Sequence, residues 1–269
     1  MLDHLAPARR RVLLGVAGLV AVLLVGTAAG LLLGGEAEVE PVAQDEPGPV
    51  LLVPGYGGST SAVDVLARAL EDAGRQTEVV RAPGDGRGDL RGHAERLAEA
   101  ALRAVEAGAP SVDVVGYSAG GVVARLWVDE LGGGSLARRV VTLASPHHGT
   151  DLAALAGGLA PEACPEACRQ LAPDSELLRR LNAGDETPEG PRWVAVWTAD
   201  DQTVVPPDSG ALEGAVAFSL QSVCPGLRVA HADVPRVPAV AAITLAALGP
   251  ADPAVPDDSV CTGPEALSR

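Results

Sequence analysis

Val112-Asp113-Val114-Val115-Gly116-Tyr117-Ser118-Ala119-Gly120-Gly121 is the stretch on which the reading of this chain turns. Its first four residues, three of them β-branched valines, read as a strand. Gly116 to Gly120 then spell G-x-S-x-G, and a helical pattern runs from Ser118 to Leu131. A serine between a strand and a helix sits on a sharp turn that lifts its hydroxyl to the rim of a sheet. Such a turn is strained, and Gly116 and Gly120 remove the side chains that would collide there. The helix N-terminus beneath it favours negative charge. In a chain with 32 glycines the string alone is only suggestive, so its strand–turn–helix setting carries the weight.

Working outward, the same alternation recurs. Val50 to Val53, Gln76 to Arg81, Arg139 to Ala144, Trp193 to Trp197 and Leu227 to Ala230 read as strands. Between them, a helix capped by Ser61 presents Val63, Leu66 and Leu70 on one face. Further helices are read at Asp89 to Ala107, with Asp89 as the N-cap, at Leu177 to Leu181 and at Pro238 to Leu248. Strands alternating with helices predict an α/β domain over residues 49–248, its mainly parallel sheet covered by helices on both faces. Residues 35–48 are acidic and proline-containing, a solvated linker, and 249–269 form a Pro- and Asp-rich, irregular tail.

Arg9, Arg10 and Arg11 precede an uncharged stretch from Val12 to Leu33, long enough as a helix to span about 30 Å of hydrocarbon. Glu36, Glu38 and Glu40 follow it. Basic residues before and acidic ones after place the N-terminus inside and the rest of the chain outside the cell. Residues 1–34 are therefore a cytoplasmic stub with a transmembrane anchor, or a signal segment cleaved near Thr27-Ala28-Ala29-Gly30. Leu31-Leu32-Leu33 prolongs the apolar run past that point and favours the anchor. Four cysteines suit an oxidising compartment. Three pairings are possible, and proximity favours Cys164–Cys168 and Cys224–Cys261. No histidine stands at zinc-ligand spacing around Cys164 and Cys168, so no metal is expected.

Composition excludes other classes. The formal net charge is −15, all 20 basic residues are arginine, and only 2% of the chain is aromatic. Such a chain repels phosphate backbones and has little to stack on bases, which speaks against nucleic-acid binding. Both tyrosines, Tyr56 and Tyr117, flank the motifs that carry chemistry, and Trp197 ends the strand leading to Asp200 and Asp201.

Together Val50–Gly58, Val112–Gly121, Val140–Thr150 with its Ser145-Pro146-His147-His148-Gly149-Thr150 string, and the Asp and His segments below resemble the bacterial α/β-hydrolase lipases and esterases. The likeness is to the small ones with little or no lid, over most of residues 49–248. Those enzymes often carry His-Gly at the loop after the first strand, where this chain has Pro54-Gly55. The resemblance implies a Ser118 nucleophile, with the order Ser, acid, His along the chain. That order removes His4 and His93; His147 and His148 come too early, which leaves His231 as the base. Asp201-Gln202-Thr203-Val204-Val205-Pro206 is similar to the family's acid segment and points to Asp201, with Asp200 as the alternative. The backbone N–H groups of Ala119 and Tyr56 are the candidates for the oxyanion hole.

The expected activity is hydrolysis of carboxylic, lipid-like esters outside the cytoplasm, without a cofactor. The expected substrate is a small-molecule or lipid ester, and the membrane is met through the N-terminal segment. An amidase, thioesterase or acyltransferase would use the same residues, and a membrane-anchored binding protein would keep the fold without turnover.

Overall fold

The continuous apolar run Val50-Leu51-Leu52-Val53 is buried at all four positions and forms β1 (Val50–Val53). The computed structural model describes residues 39–262; the anchor or signal segment and the last residues of the tail lie outside them. Five more strands follow: β2 (Thr77–Val79), β3 (Val112–Tyr117), β4 (Ala137–Leu143), β5 (Arg192–Trp197) and β6 (Val216–Ser219). They pair in the order β2-β1-β3-β4-β5-β6, and each neighbouring pair is parallel.

A parallel sheet must be covered on both faces, and here two apolar clusters do so. Val50 and Leu52 point to one side, where they meet Leu66 and Leu70 of α1 (Val63–Asp72) and residues of the C-terminal helix Pro238–Ala247. Leu51 and Val53 point to the other, against Leu97 of α2 (Leu90–Glu106) and Val122 and Leu126 of α3 (Ala119–Glu130). Between β4 and β5 the chain forms three short helices, α4 (Asp151–Leu159), α5 (Glu166–Gln170) and α6 (Glu176–Leu181). After β6 come α7 (Leu220–Val223) and α8 (Pro238–Ala247). Leu152, Leu155 and Leu159 of α4 are exposed. Among the described residues no helix is long and apolar enough to cross a membrane.

Two local expectations need correction. The last strand is Val216–Ser219, and Leu227 to Ala230 is not a strand. There the Val229 N–H donates to Asp200 Oδ2 (3.2 Å) and its carbonyl accepts from Thr198 Oγ1 (2.8 Å), so side chains take the groups a ladder would use. Ser61 does not cap α1; the N-cap is Ala62, and the first turn is held by Thr60 Oγ1 donating to Asp64 Oδ2 (2.9 Å). Ser61 Oγ instead accepts from Arg236 Nη2 at 3.2 Å. Asp89, by contrast, does cap α2 by accepting from the Arg91 N–H.

Two disulfides, Cys164–Cys168 and Cys224–Cys261, match the pairing that proximity favours. The second ties the short turn Asp258–Thr262, with its buried Val260, to the end of α7.

At the edge where β1, β3 and β4 begin, a buried carboxylate gathers the chain. Asp113 accepts from Arg75 and Arg138, each at 2.6 Å, and the Asp113 and Arg138 side chains are wholly buried. The same arginines donate onward to the carbonyls of Gln44, Gly48, Leu248 and Gly249. Arg139 adds the Ala251 carbonyl. Residues 44–48 and 248–251 are thus stapled to the strand starts. Asp113→Ala strands the buried Arg138 guanidinium, and the expected cost is about 3–5 kcal/mol, measurable by urea unfolding.

Candidate active site

Ser118 stands at the opposite edge, where β3 ends and α3 begins. It has φ 54° and ψ −125°, a region that residues with a side chain rarely enter. Its neighbours hold it there. The Ser118 N–H donates to Leu143 O of β4 (2.8 Å), and its carbonyl accepts from the Gly121 N–H (3.0 Å). A Cβ on Gly116 would lie 2.5 Å from Gly120 O, and one on Gly120 would lie 2.2 Å from Val53 O. Only glycine at both positions allows β1, β3 and α3 to close up so tightly around the serine.

The other side chains arrive from the far side of the sheet. Asp201 follows β5, buried, and its Oδ1 accepts from the N–H groups of Thr203 and Val204, both at 2.8 Å. Its Oδ2 lies 2.7 Å from His231 Nδ1, and His231 Nε2 lies 3.0 Å from Ser118 Oγ. Ser118, His231 and Asp201 therefore form one hydrogen-bonded chain across residues 83 and 30 positions apart in sequence order. His231 opens a tight 3-10 turn, His231–Arg236, rather than closing a strand. Its ring packs beside that of Tyr117, centroids 5.3 Å apart, and the Tyr117 hydroxyl donates to the His231 carbonyl (3.0 Å).

Asp200 turns the other way. Its carboxylate accepts from Arg228 Nη1 (2.7 Å), Gln221 Nε2 (3.1 Å) and the Val229 N–H (3.2 Å). The Arg228 hydrogen bond, helped by the Val229 N–H, holds that carboxyl below the ordinary aspartate range. Gln221 also donates to Thr198 Oγ1 (3.0 Å) and Leu227 O (3.3 Å). Asp200, Gln221 and Thr198 thus clamp the loop after β5 to the segment that delivers His231. Sequence reasoning left Asp200 beside Asp201 as an alternative and passed over Gln221 and Thr198; their partners lie about 20–30 residues away, where no local pattern reports them.

The loop after β1 covers the serine. A Cβ on Gly55 would lie 3.0 Å from Ser118 Cβ, and the turn is closed by Gly58 N–H to Gly55 O (3.1 Å) and Gly57 N–H to Gly86 O (3.0 Å). Among the described residues no acceptor takes the Tyr56 or Ala119 N–H, the two candidate oxyanion donors. The Tyr56 ring is exposed, with the Arg87 guanidinium 5.8 Å from its centroid.

His147 and His148 do not join the Ser118 chain. His147 is fully buried, its Nε2 2.9 Å from Thr142 Oγ1, and its carbonyl accepts from Asn182 Nδ2. Burial, with the nearby Arg125 charge, pushes its pKa well below the usual histidine value. Arg125 is itself buried and spans Leu181 O, Asn182 Oδ1 and Glu186 O, so it fixes the segment after α6. His148 pairs with Glu186 at 2.7 Å near the surface.

Comparison with known proteins agrees with this architecture. Residues 100–212, from α2 through the loop after β5, match the family model described as Lipase (class 2). Lipase B of Aspergillus fumigatus superposes with a TM-score of 0.66 at 21% identity, covering 84% of this chain and 59% of that one. The mature form of the Bacillus licheniformis lipase BlEst2 gives 0.57 at 18% identity, covering 75% of this chain and 91% of that one. Its propeptide form gives 0.59 at 17%, with 73% and 48% covered. The chain thus spans less than two thirds of the Aspergillus lipase, and the shared element is the α/β-hydrolase fold. No curated protein matches in sequence.

The buried imidazole has a measurable consequence. Folded His147 stays neutral, whereas the unfolded chain takes up a proton at that residue below about pH 6.5. The unfolded state then binds more protons, so stability falls as pH drops through that value, by up to about 1.4 kcal/mol per pH unit. Urea unfolding between pH 7 and 5 should show a shallower acid dependence for His147→Gln than for the parent chain.

Proposed function

We propose that this chain, an α/β-hydrolase carrying a class 2 lipase segment, hydrolyses carboxylic esters through Ser118, His231 and Asp201. The observation that carries the reading is the unbroken hydrogen-bonded chain from Asp201 through His231 to a serine in strained backbone at a helix N-terminus. Serine is a weak nucleophile until a base takes its proton. His231 Nε2 is within reach of that proton, and the Asp201 carboxylate holds Nδ1–H so that Nε2 faces the serine as an acceptor. Two backbone N–H groups at Asp201 Oδ1 keep the carboxylate from rotating away.

Ser118 Oγ attacks the acyl carbon while its proton passes to His231. The negative charge that develops on the carbonyl oxygen meets the N–H groups of Ala119 and Tyr56 and the positive end of α3. His231 gives its proton to the departing alcohol, and the acyl group remains on Ser118. Water, activated by the same imidazole, then releases the acid. No cofactor enters this sequence. The aromatic scarcity of the chain suits an acyl site lined by Leu, Val and Ala, hence aliphatic esters, lipid-like ones included.

The place of action we infer is outside the cytoplasm, with residues 1–34 as membrane anchor or signal. Support comes from the arginine cluster ahead of the apolar stretch and from two disulfides, which persist in oxidising compartments.

Three measurements test the reading. A fluorophosphonate should label Ser118 in the folded parent and not in Ser118→Ala; the absence of an adduct on the parent sinks it. A p-nitrophenyl ester series of increasing chain length should show turnover that Ser118→Ala abolishes. Asp201→Asn should cut kcat by roughly 10⁴-fold, whereas Asp200→Asn acts only by loosening a loop and costs far less. The reverse order would transfer the orienting role to Asp200.

A further inference from the structure

We infer that Tyr117 is a positioning residue for the base: its hydroxyl fixes the His231 backbone, and its ring steadies the imidazolium that forms during acyl transfer. The inference rests on the proposed roles of Ser118 and His231. Tyr117 immediately precedes the serine and is the last residue of β3, so it is as rigidly placed as the nucleophile itself. Its side chain is buried, and the hydroxyl donates to His231 O at 3.0 Å. That single bond crosses 114 positions of sequence and joins the strand that holds the nucleophile to the turn that holds the base.

The ring completes the device. Its centroid lies 5.3 Å from that of the imidazole with the two ring planes tilted by 34°, so an imidazolium would form within the reach of about 6 Å over which an aromatic ring attracts a cation. The contact strengthens once the imidazole takes the serine proton and becomes a cation. An interaction that grows as the proton moves lowers the barrier rather than merely binding. Burial raises the Tyr117 pKa to about 12, so the phenol remains a donor across any working pH. The charged groups around this pair are Asp201 on the Nδ1 side and Asp233 and Arg236 on the turn that follows His231.

Two variants separate the parts. Tyr117→Phe keeps the ring and deletes the hydroxyl. Expected are a kcat lowered about fivefold, the scale of one neutral hydrogen bond, and a KM within about twofold of the parent. Tyr117→Leu also removes the ring, and should lower kcat further and move the acid limb of kcat/KM to lower pH, because the imidazolium has lost its neighbour. Thermal unfolding of both variants checks that they fold. If the parent is labelled by fluorophosphonate at Ser118 but Tyr117→Phe matches it in kcat, the anchoring role is wrong while the ester-hydrolase reading stands. If Tyr117→Leu leaves the acid limb where it was, the ring has no part in holding the charge. A parent that takes no label overturns both readings together.

Discussion

One backbone conformation governs this molecule: Ser118 at φ 54°. A side chain in that region costs of order 1–3 kcal/mol and survives only where the surroundings over-determine it. Here they do. β1 presses on the turn through Gly120 and Gly55, β4 accepts the serine N–H, and α3 begins at once. Ser145, after β4, closes the remaining side: a Cβ on Gly121 would fall 2.1 Å from its Oγ. The parallel sheet and its two apolar faces hold the strained turn in place, and the strain in turn leaves the hydroxyl at the rim.

The side chains hydrogen-bonded in line with Ser118 come by longer routes and are fastened at more points. Asp201 sits on the loop after β5 and His231 at the first residue of the 3-10 turn that follows α7. Adjacent aspartates divide the work between them. Asp201 faces the imidazole, and Asp200 faces Gln221, Arg228 and Val229, so that the two loops are bonded to each other. Adjacent in sequence, the two carboxylates take different partners and so serve separate ends of the same pair of loops.

How far the sequence could be read follows from where each signal resides. The core strands were legible because burial on both faces leaves an unbroken apolar run, as in Val50–Val53. The G-x-S-x-G setting pointed to Ser118, the family's order to His231, and the likeness of the Asp201–Pro206 segment to Asp201 over its alternative Asp200; Ser118, His231 and Asp201 lie in one hydrogen-bonded chain. β6 escaped because it is an edge strand, Val-Ala-Phe-Ser, buried in full only at Phe218. Leu227 to Ala230 has a strand's composition, but its main-chain groups are claimed by Thr198 and Asp200, and composition cannot report a partner so distant. Ser61 failed as a cap for a similar reason. A neighbouring threonine and aspartate held the turn first, and Arg236 took the hydroxyl.

The Cys224–Cys261 bridge encloses the stretch that bears His231 and all of α8 in a covalent ring spanning 37 positions. A peptide bond cut anywhere inside that ring leaves two pieces still joined through sulfur. His231 would stay tethered to the domain after a protease nicked one of the turns in that ring. Losing it would take reduction as well as hydrolysis, two insults that seldom occur in the same compartment.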